Sequence, residues 1–163
     1  MTARFRDRLL WTAEGAIMDG PRRYLMLRPD ALMGLFRALP EPARQAALEA
    51  FAASVHRQGA DSARAYLAMG GTPAELPGII ARTAPDLGWG LWQAESGPDR
   101  VVFTVTASPF AAGFGPATGP VCHPIRGMTR AVAEIVLGRP CIARETACTA
   151  TGAPSCRFEG VAQ

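Results

Sequence analysis

Apolar residues recur at helical spacing through much of the first half of the chain. "RPDALMGLFRAL" offers Asp30 as an N-cap and then sets Leu32, Met33, Leu35 and Phe36 on one helical face. "EPARQAALEAFAASVHRQG" starts near Pro42, carries Ala46, Leu48, Phe51 and Val55 at matching intervals, and meets a stop signal at Gly59. "DSARAYLAMGG" reads as a separate short helix, capped by Asp61 and closed by Gly70 and Gly71. "TPAELPGIIARTAPDLG" opens with a Thr72 to Glu75 capping box and Pro73 at its first helical position, and Pro77 falls early enough to be tolerated.

The period then changes. "GWGLWQAE" (88–95) and "RVVFTVTA" (100–107) are rich in aromatic and β-branched residues, and "SGPD" between them suits a hairpin turn. Val101, Phe103 and Val105 form an apolar face, and Val102, Thr104 and Thr106 form a mixed one. "SPFAAGFGPATGP" (108–120) is a Gly/Pro loop with room for a helical turn. "HPIRGMTRAVAEIVLG" predicts a helix over 124–137, begun by Pro124 and closed by Gly138 and Pro140. Its buried stripe is Ile125, Met128, Val132 and Ile135/Val136. "CIARETACT" and "SCRFEGVA" read as two strands joined by "ATGAP". The pattern predicts one α+β domain over 1–163. Residues 1–86 are mainly helical, and 87–163 form a small antiparallel sheet with helix 124–137 as its crossover.

Composition adds a few exclusions. Hydrophobic residues make up 48% and charged residues 19%, which is the balance of a folded domain rather than a disordered one. No apolar run approaches the ~18 residues of a membrane span, and the amino-terminal stretch lacks the apolar core of a secretory signal. The expected compartment is the cytoplasm, where structural disulfides are uncommon. Every basic residue is Arg, and the net charge of +3 resides in residues 1–28, with six Arg against Asp7, Glu14 and Asp19. That cluster is too short for the basic stripe of a nucleic-acid binder.

The candidate chemistry lies in "ETACTATGAPSC" (145–156) and in "GPVCHPIRGM" upstream of it. Cys148 and Cys156 flank a tight turn, and Cys122 precedes a helix N-terminus, a position that favours a thiolate. Glu145 lies three residues before Cys148, so a flat strand puts the two on opposite faces unless a bulge or the turn intervenes. Three thiolates and a carboxylate would make a closed four-ligand site of structural type. The competing readings are buried apolar cysteines, with Cys141 the plainest case, and His123 as fourth ligand in place of Glu145. A catalytic thiol needs a base with an orienting partner. Neither His56 nor His123 has a carboxylate assigned to it by the sequence, and no catalytic residue is predicted.

Residues 108–128, the helix to Gly138 and "RETACTATGAPSCRF" resemble the 4-vinyl reductase domain family. That family includes a branch of bacteriochlorophyll-biosynthesis proteins (the J branch) and the sensor domains of phenol-responsive activators. Members of the sensor branch hold zinc by a Cys, a Glu, a Cys and a Cys separated by 23, 3 and 8 residues, the separations found here. The resemblance therefore implies Cys122, Glu145, Cys148 and Cys156 as ligands of a structural Zn2+. It also implies a fold like the small vesicle-tethering subunits and NO-signalling domains, and a homodimer.

A closed metal site leaves recognition to a pocket, for which Trp89, Trp92, Phe103, Phe110 and Phe114 are the candidate lining. Aromatics at strand spacing are equally the material of a core. The resemblance implies first a carrier or accessory protein for a tetrapyrrole intermediate of bacteriochlorophyll biosynthesis, a photosynthesis function with pigment-pathway enzymes as partners. It implies second a sensor of small aromatic effectors acting through a partner protein, although the His and Trp that grip phenol in those sensors have no identifiable counterpart. A third implication is reduction of a tetrapyrrole 4-vinyl group. No dinucleotide fingerprint supplies the hydride for that reaction, so binding is expected rather than catalysis.

Overall fold

A computed structural model describes residues 4–68 and 70–163. Its carboxyl-terminal half is a four-stranded antiparallel sheet of β4 (Leu91–Ser96), β5 (Arg100–Thr106), β6 (Cys141–Ala147) and β7 (Cys156–Ala162), ordered β4-β5-β7-β6. Two hairpins, β4–β5 and β6–β7, pair through β5 and β7. The crossover from β5 to β6 carries α4 (Pro109–Phe114) and α5 (His123–Leu137), as the change of period predicts.

On β5 the expected apolar face is buried, and so is Val102 of the mixed face. Val101, Phe103 and Val105 are fully buried, and their register partners on β7 are Gly160, Phe158 and Cys156. This face receives α5. Ile125 and Val132 are fully buried, and Met128, Ile135 and Val136 pack against the core from its margin. Gly160 permits the contact: a Cβ there would stand 2.6 Å from that of Ala133. The helix ends at Gly138, whose φ of 66° is the left-handed value a glycine adopts at low cost.

The outer face of α5 packs on α2 (Ala43–Ala68), and here the expectation of two helices fails. The chain runs as one helix through Gly59 and Asp61. Gly59 packs closely rather than stopping the helix, because a Cβ there would lie 2.9 Å from the Met128 methyl on α5. Packing of this kind overrides a propensity deficit of about 1 kcal/mol. Met69, in the predicted helix 61–71, lies outside the described residues, as do residues 1–3.

The Thr72–Glu75 capping box forms as predicted, with Thr72 N and Oγ1 donating to Glu75 Oε2 at 2.9 and 2.7 Å. It leads into α3 (Leu76–Thr83), with Pro77 in the first turn. Helix α1 (Pro29–Ala38) starts at its proline, so Asp30 is a first-turn residue and not the N-cap. The amino-terminal region departs most from expectation. Before α1 it forms a three-stranded sheet of β1 (Leu10–Trp11), β2 (Ile17–Asp19) and β3 (Arg22–Tyr24). Strands of two and three residues are too short to show alternation. The signals available were the turns at Gly15 and Gly20, both at positive φ. Among the described residues, no helix is long and apolar enough to cross a membrane.

Candidate metal centre

Each element places its candidate ligand for a local reason. Pro124 fixes the first turn of α5, and Cys122 occupies the N-cap position at the mouth of that helix. Cys156 opens β7, opposite Val105 of β5 and on the face that α5 covers. Glu145 pairs with Phe158 on the same face. The pairing then jumps from Glu145↔Phe158 to Ala147↔Arg157, leaving Thr146 as a bulge. One extra residue reverses the side-chain parity, so Cys148 joins Glu145 on the inner face instead of opposing it. Between Cys148 and Cys156 the chain turns through residues 149–151 and Gly152, whose φ is 94°.

One donor atom from each of Cys122, Glu145, Cys148 and Cys156 lies within 4.8 Å of the other three. Cys122 Sγ is 3.7 Å from Cys156 Sγ and 4.0 Å from Cys148 Sγ. These separations far exceed an S–S bond, and all four cysteines are free. They fit sulfurs on a tetrahedral zinc, for which Zn–S bonds of about 2.3 Å place neighbouring sulfurs roughly 3.8 Å apart. The three cysteines are at most 1% exposed. Glu145 Oε2 accepts from Cys122 N at 2.9 Å, while Oε1 is buried with no hydrogen-bond partner. A buried acceptor without a donor, beside three sulfurs, suits a cation.

The sulfurs are further held by polar hydrogens. Thr149 N donates to Cys156 Sγ at 3.3 Å, and Thr149 Oγ1 lies 3.4 Å from it. Ser108 Oγ lies 3.2 Å from Cys122 Sγ. The sequence reading missed these two residues. Adjacency marks Thr149, directly after Cys148, and its position before Pro109 marks Ser108 as a helix N-cap.

Without a cation Cys156 carries the charge of the cluster, and Cys122 and Cys148 keep their protons. Hydrogen bonds to Cys148 and Cys156, then burial, push the Cys122 thiol far up, so neighbouring acceptors outweigh the helix-end effect expected from sequence. Hydrogen bonds from Cys122 and Cys148 bring Cys156 down to about 2. For Cys148 the hydrogen bond with Cys122 lowers the pKa, but the bond with Cys156, burial and Glu145 carry it up to about 12. Burial raises Glu145 to about 7.

The rival fourth ligand, His123, and the remaining cysteine, Cys141, are elsewhere. His123 turns toward α2, with Nε2 3.4 Å from Glu49 Oε1 and 3.5 Å from Gln45 Nε2. Cys141 donates to the Arg139 carbonyl at 3.3 Å. The five aromatic candidates lie in or against the core. Trp92 meets Phe103 at 5.1 Å, and Trp89 meets Phe110 at 5.1 Å edge-on and Trp92 at 6.4 Å. Phe114 is buried in the same core cluster. Two surface cavities lie apart from these rings. A cavity of about 390 Å³ is bounded by Gly15, Ile17 and residues 23–26. A cleft of about 210 Å³ lies where α2, α5 and β6 meet, around His56, Arg126 and Arg130.

The fold and this cluster define a small α+β domain with a three-cysteine, one-glutamate cluster that could hold a metal ion. Residues 101–162 match the family model of the V4R domain. The phenol-responsive sensory domain of the transcription activator PoxR, solved with phenol, shares the fold at TM-score 0.80 and 22% identity, over 99% of this chain and 92% of that one. A trafficking protein particle complex subunit 3 from Naegleria fowleri, covalently bound to palmitic acid, follows at TM-score 0.57 and 12% identity, covering 83% and 95% of the two chains. A vinyl-4-reductase family protein from Methanocaldococcus jannaschii aligns at TM-score 0.51 and 11% identity, over 84% and 96%. Among curated proteins none matches the sequence.

Proposed function

We propose that the chain is a binding domain for a small aromatic molecule, stiffened by Zn2+ on Cys122, Glu145, Cys148 and Cys156. The observation that carries the reading is the fold shared along 99% of the chain with a phenol-responsive sensory domain. The zinc reading is supported by sulfur separations of 3.7 and 4.0 Å and by the unpartnered Glu145 oxygen. Such a centre does no chemistry. It pins the β6–β7 hairpin to the start of α5 and so stiffens the wall of the aromatic cluster.

The proposed ligand-facing residues remain Trp89, Trp92, Phe103, Phe110 and Phe114. Their rings fill one another's space, so a bound ring enters by displacing Trp89, the partly exposed member. That geometry favours a single-ring ligand over the bulky tetrapyrrole. Tryptophan fluorescence titrated with a panel of phenols and other monocyclic aromatics tests this, with saturable quenching expected. No response to any of them contradicts the reading. A response confined to a porphyrin or chlorophyllide makes the protein a tetrapyrrole carrier, and turnover with a nicotinamide or flavin makes it a reductase.

A sensor needs a surface through which to report. Leu10, Trp11, Leu25, Met26 and Leu27 are 54–83% exposed along one amino-terminal stretch. Exposed apolar residues in such density mark an interaction surface, and the proposal assigns it to pairing between two copies of the chain.

A further inference from the structure

We propose that Ser108 is a positioning residue of the metal centre, acting through Cys122 and tying α4 to the ion. The inference rests on the metal reading of the cluster. Ser108 is 2% exposed and its hydroxyl is committed twice. The Ala111 amide donates to Oγ at 3.5 Å, capping α4, and Cys122 Sγ lies 3.2 Å from the same oxygen. A hydroxyl has one hydrogen and two lone pairs. The amide takes a lone pair, and the hydrogen is left for the sulfur. Metal-bound thiolates are oriented by such donors, which act at one remove from the ion.

The backbone is built to aim this hydroxyl. Ala107 has a φ of 55°, the only described non-glycine residue at positive φ. A non-glycine residue there is strained and persists only where the surroundings enforce it. Gly90 makes room for it: a Cβ at that position would lie 2.5 Å from the Thr106 carbonyl oxygen and 2.8 Å from that of Ala107. The turn at Ala107 follows the end of β5, and the next residue, Ser108, meets Cys122. Two residues further on, Phe110 stands edge-on to Trp89 at 5.1 Å and to Phe51 at 6.3 Å. Ser108 is therefore the covalent and hydrogen-bonded link between the ion and the aromatic cluster. A second link runs from the Ala117 amide to the Ala150 carbonyl at 2.9 Å, beside Cys148.

Ser108→Ala and Ser108→Gly test the assignment in the full chain. Both remove the hydroxyl, but glycine serves as an N-cap nearly as well as serine. Competition with a chromophoric chelator measures Zn2+ affinity. The Co2+-loaded protein gives the sulfur-to-metal charge-transfer band, which reads the thiolate directly. Both variants are expected to bind Zn2+ about 10–100-fold more weakly and to shift the Co2+ band. Wild-type affinity and an unmoved band in both variants overturn the role of Ser108 while leaving the metal reading intact. Weakening in Ser108→Ala alone reduces Ser108 to a helix cap and also overturns it. A wild-type protein that binds neither ion removes the metal reading itself, and this inference with it.

Discussion

The protonation of Glu145 gives the metal-free protein a pH dependence of unusual sign. Burial moves this carboxyl from 4.5 to about 7, and a displacement of that size is worth about 3 kcal/mol between folded and unfolded states. The folded value lies above the unfolded one. The contribution is therefore fully present below pH 4.5 and is lost as pH rises through 7. Chelator-stripped protein should lose about 3 kcal/mol from this group between pH 4.5 and 8, a fall of roughly 6–12 °C in Tm for a chain of this size. His123 titrates nearby with the opposite sign, because burial holds its pKa down and protonation destabilises the fold as pH falls. The comparison is therefore wild type against Glu145→Gln, whose amide oxygen still accepts from the Cys122 amide. The variant should lack the alkaline loss. Loading with Zn2+ should reverse the trend in the wild type, because binding displaces protons. Equal pH slopes in the two metal-free proteins would refute the reasoning.

Other outcomes follow from the packing and the surface. Cys148→Ser should abolish Zn2+ retention while Cys141→Ser keeps it, as read by metal content after gel filtration, because Cys141 is bonded to the Arg139 carbonyl outside the cluster. Gly127→Ala would place a Cβ 2.2 Å from the Ala52 carbonyl oxygen and should cost about 3 kcal/mol in thermal unfolding as α2 and α5 separate. Gly34→Ala, with nothing within 4 Å, should instead stabilise α1 by about 0.5–1 kcal/mol. The double variant Leu25→Glu, Met26→Glu should convert a dimer to a monomer in light scattering at unchanged helicity. A wild type already monomeric at high concentration refutes the pairing surface.

The sequence was most legible where a pattern runs long enough to repeat. Helix α5, the β4–β5 and β6–β7 hairpins and the capping box at Thr72 each combine a period with an end signal. Gly59 misled because a glycine inside a helix and a glycine ending one look alike until Met128 is seen packed against it. The amino-terminal sheet escaped because its strands have two or three residues, below one full alternation. For the site, residue identity and spacing bring the four candidate ligands into view. The Thr146 bulge that turns Glu145 and Cys148 to the same face carries no residue-type signature. Ser108 comes to Cys122 through a backbone turn at Ala107, which a sequence of ordinary alanine and serine does not announce.

Elemental analysis of the freshly purified native chain tests the central claim most directly. About one zinc per polypeptide, lost on Cys156→Ser, is the expected result. A protein free of any transition metal, folded and with its thiols reduced, would contradict it.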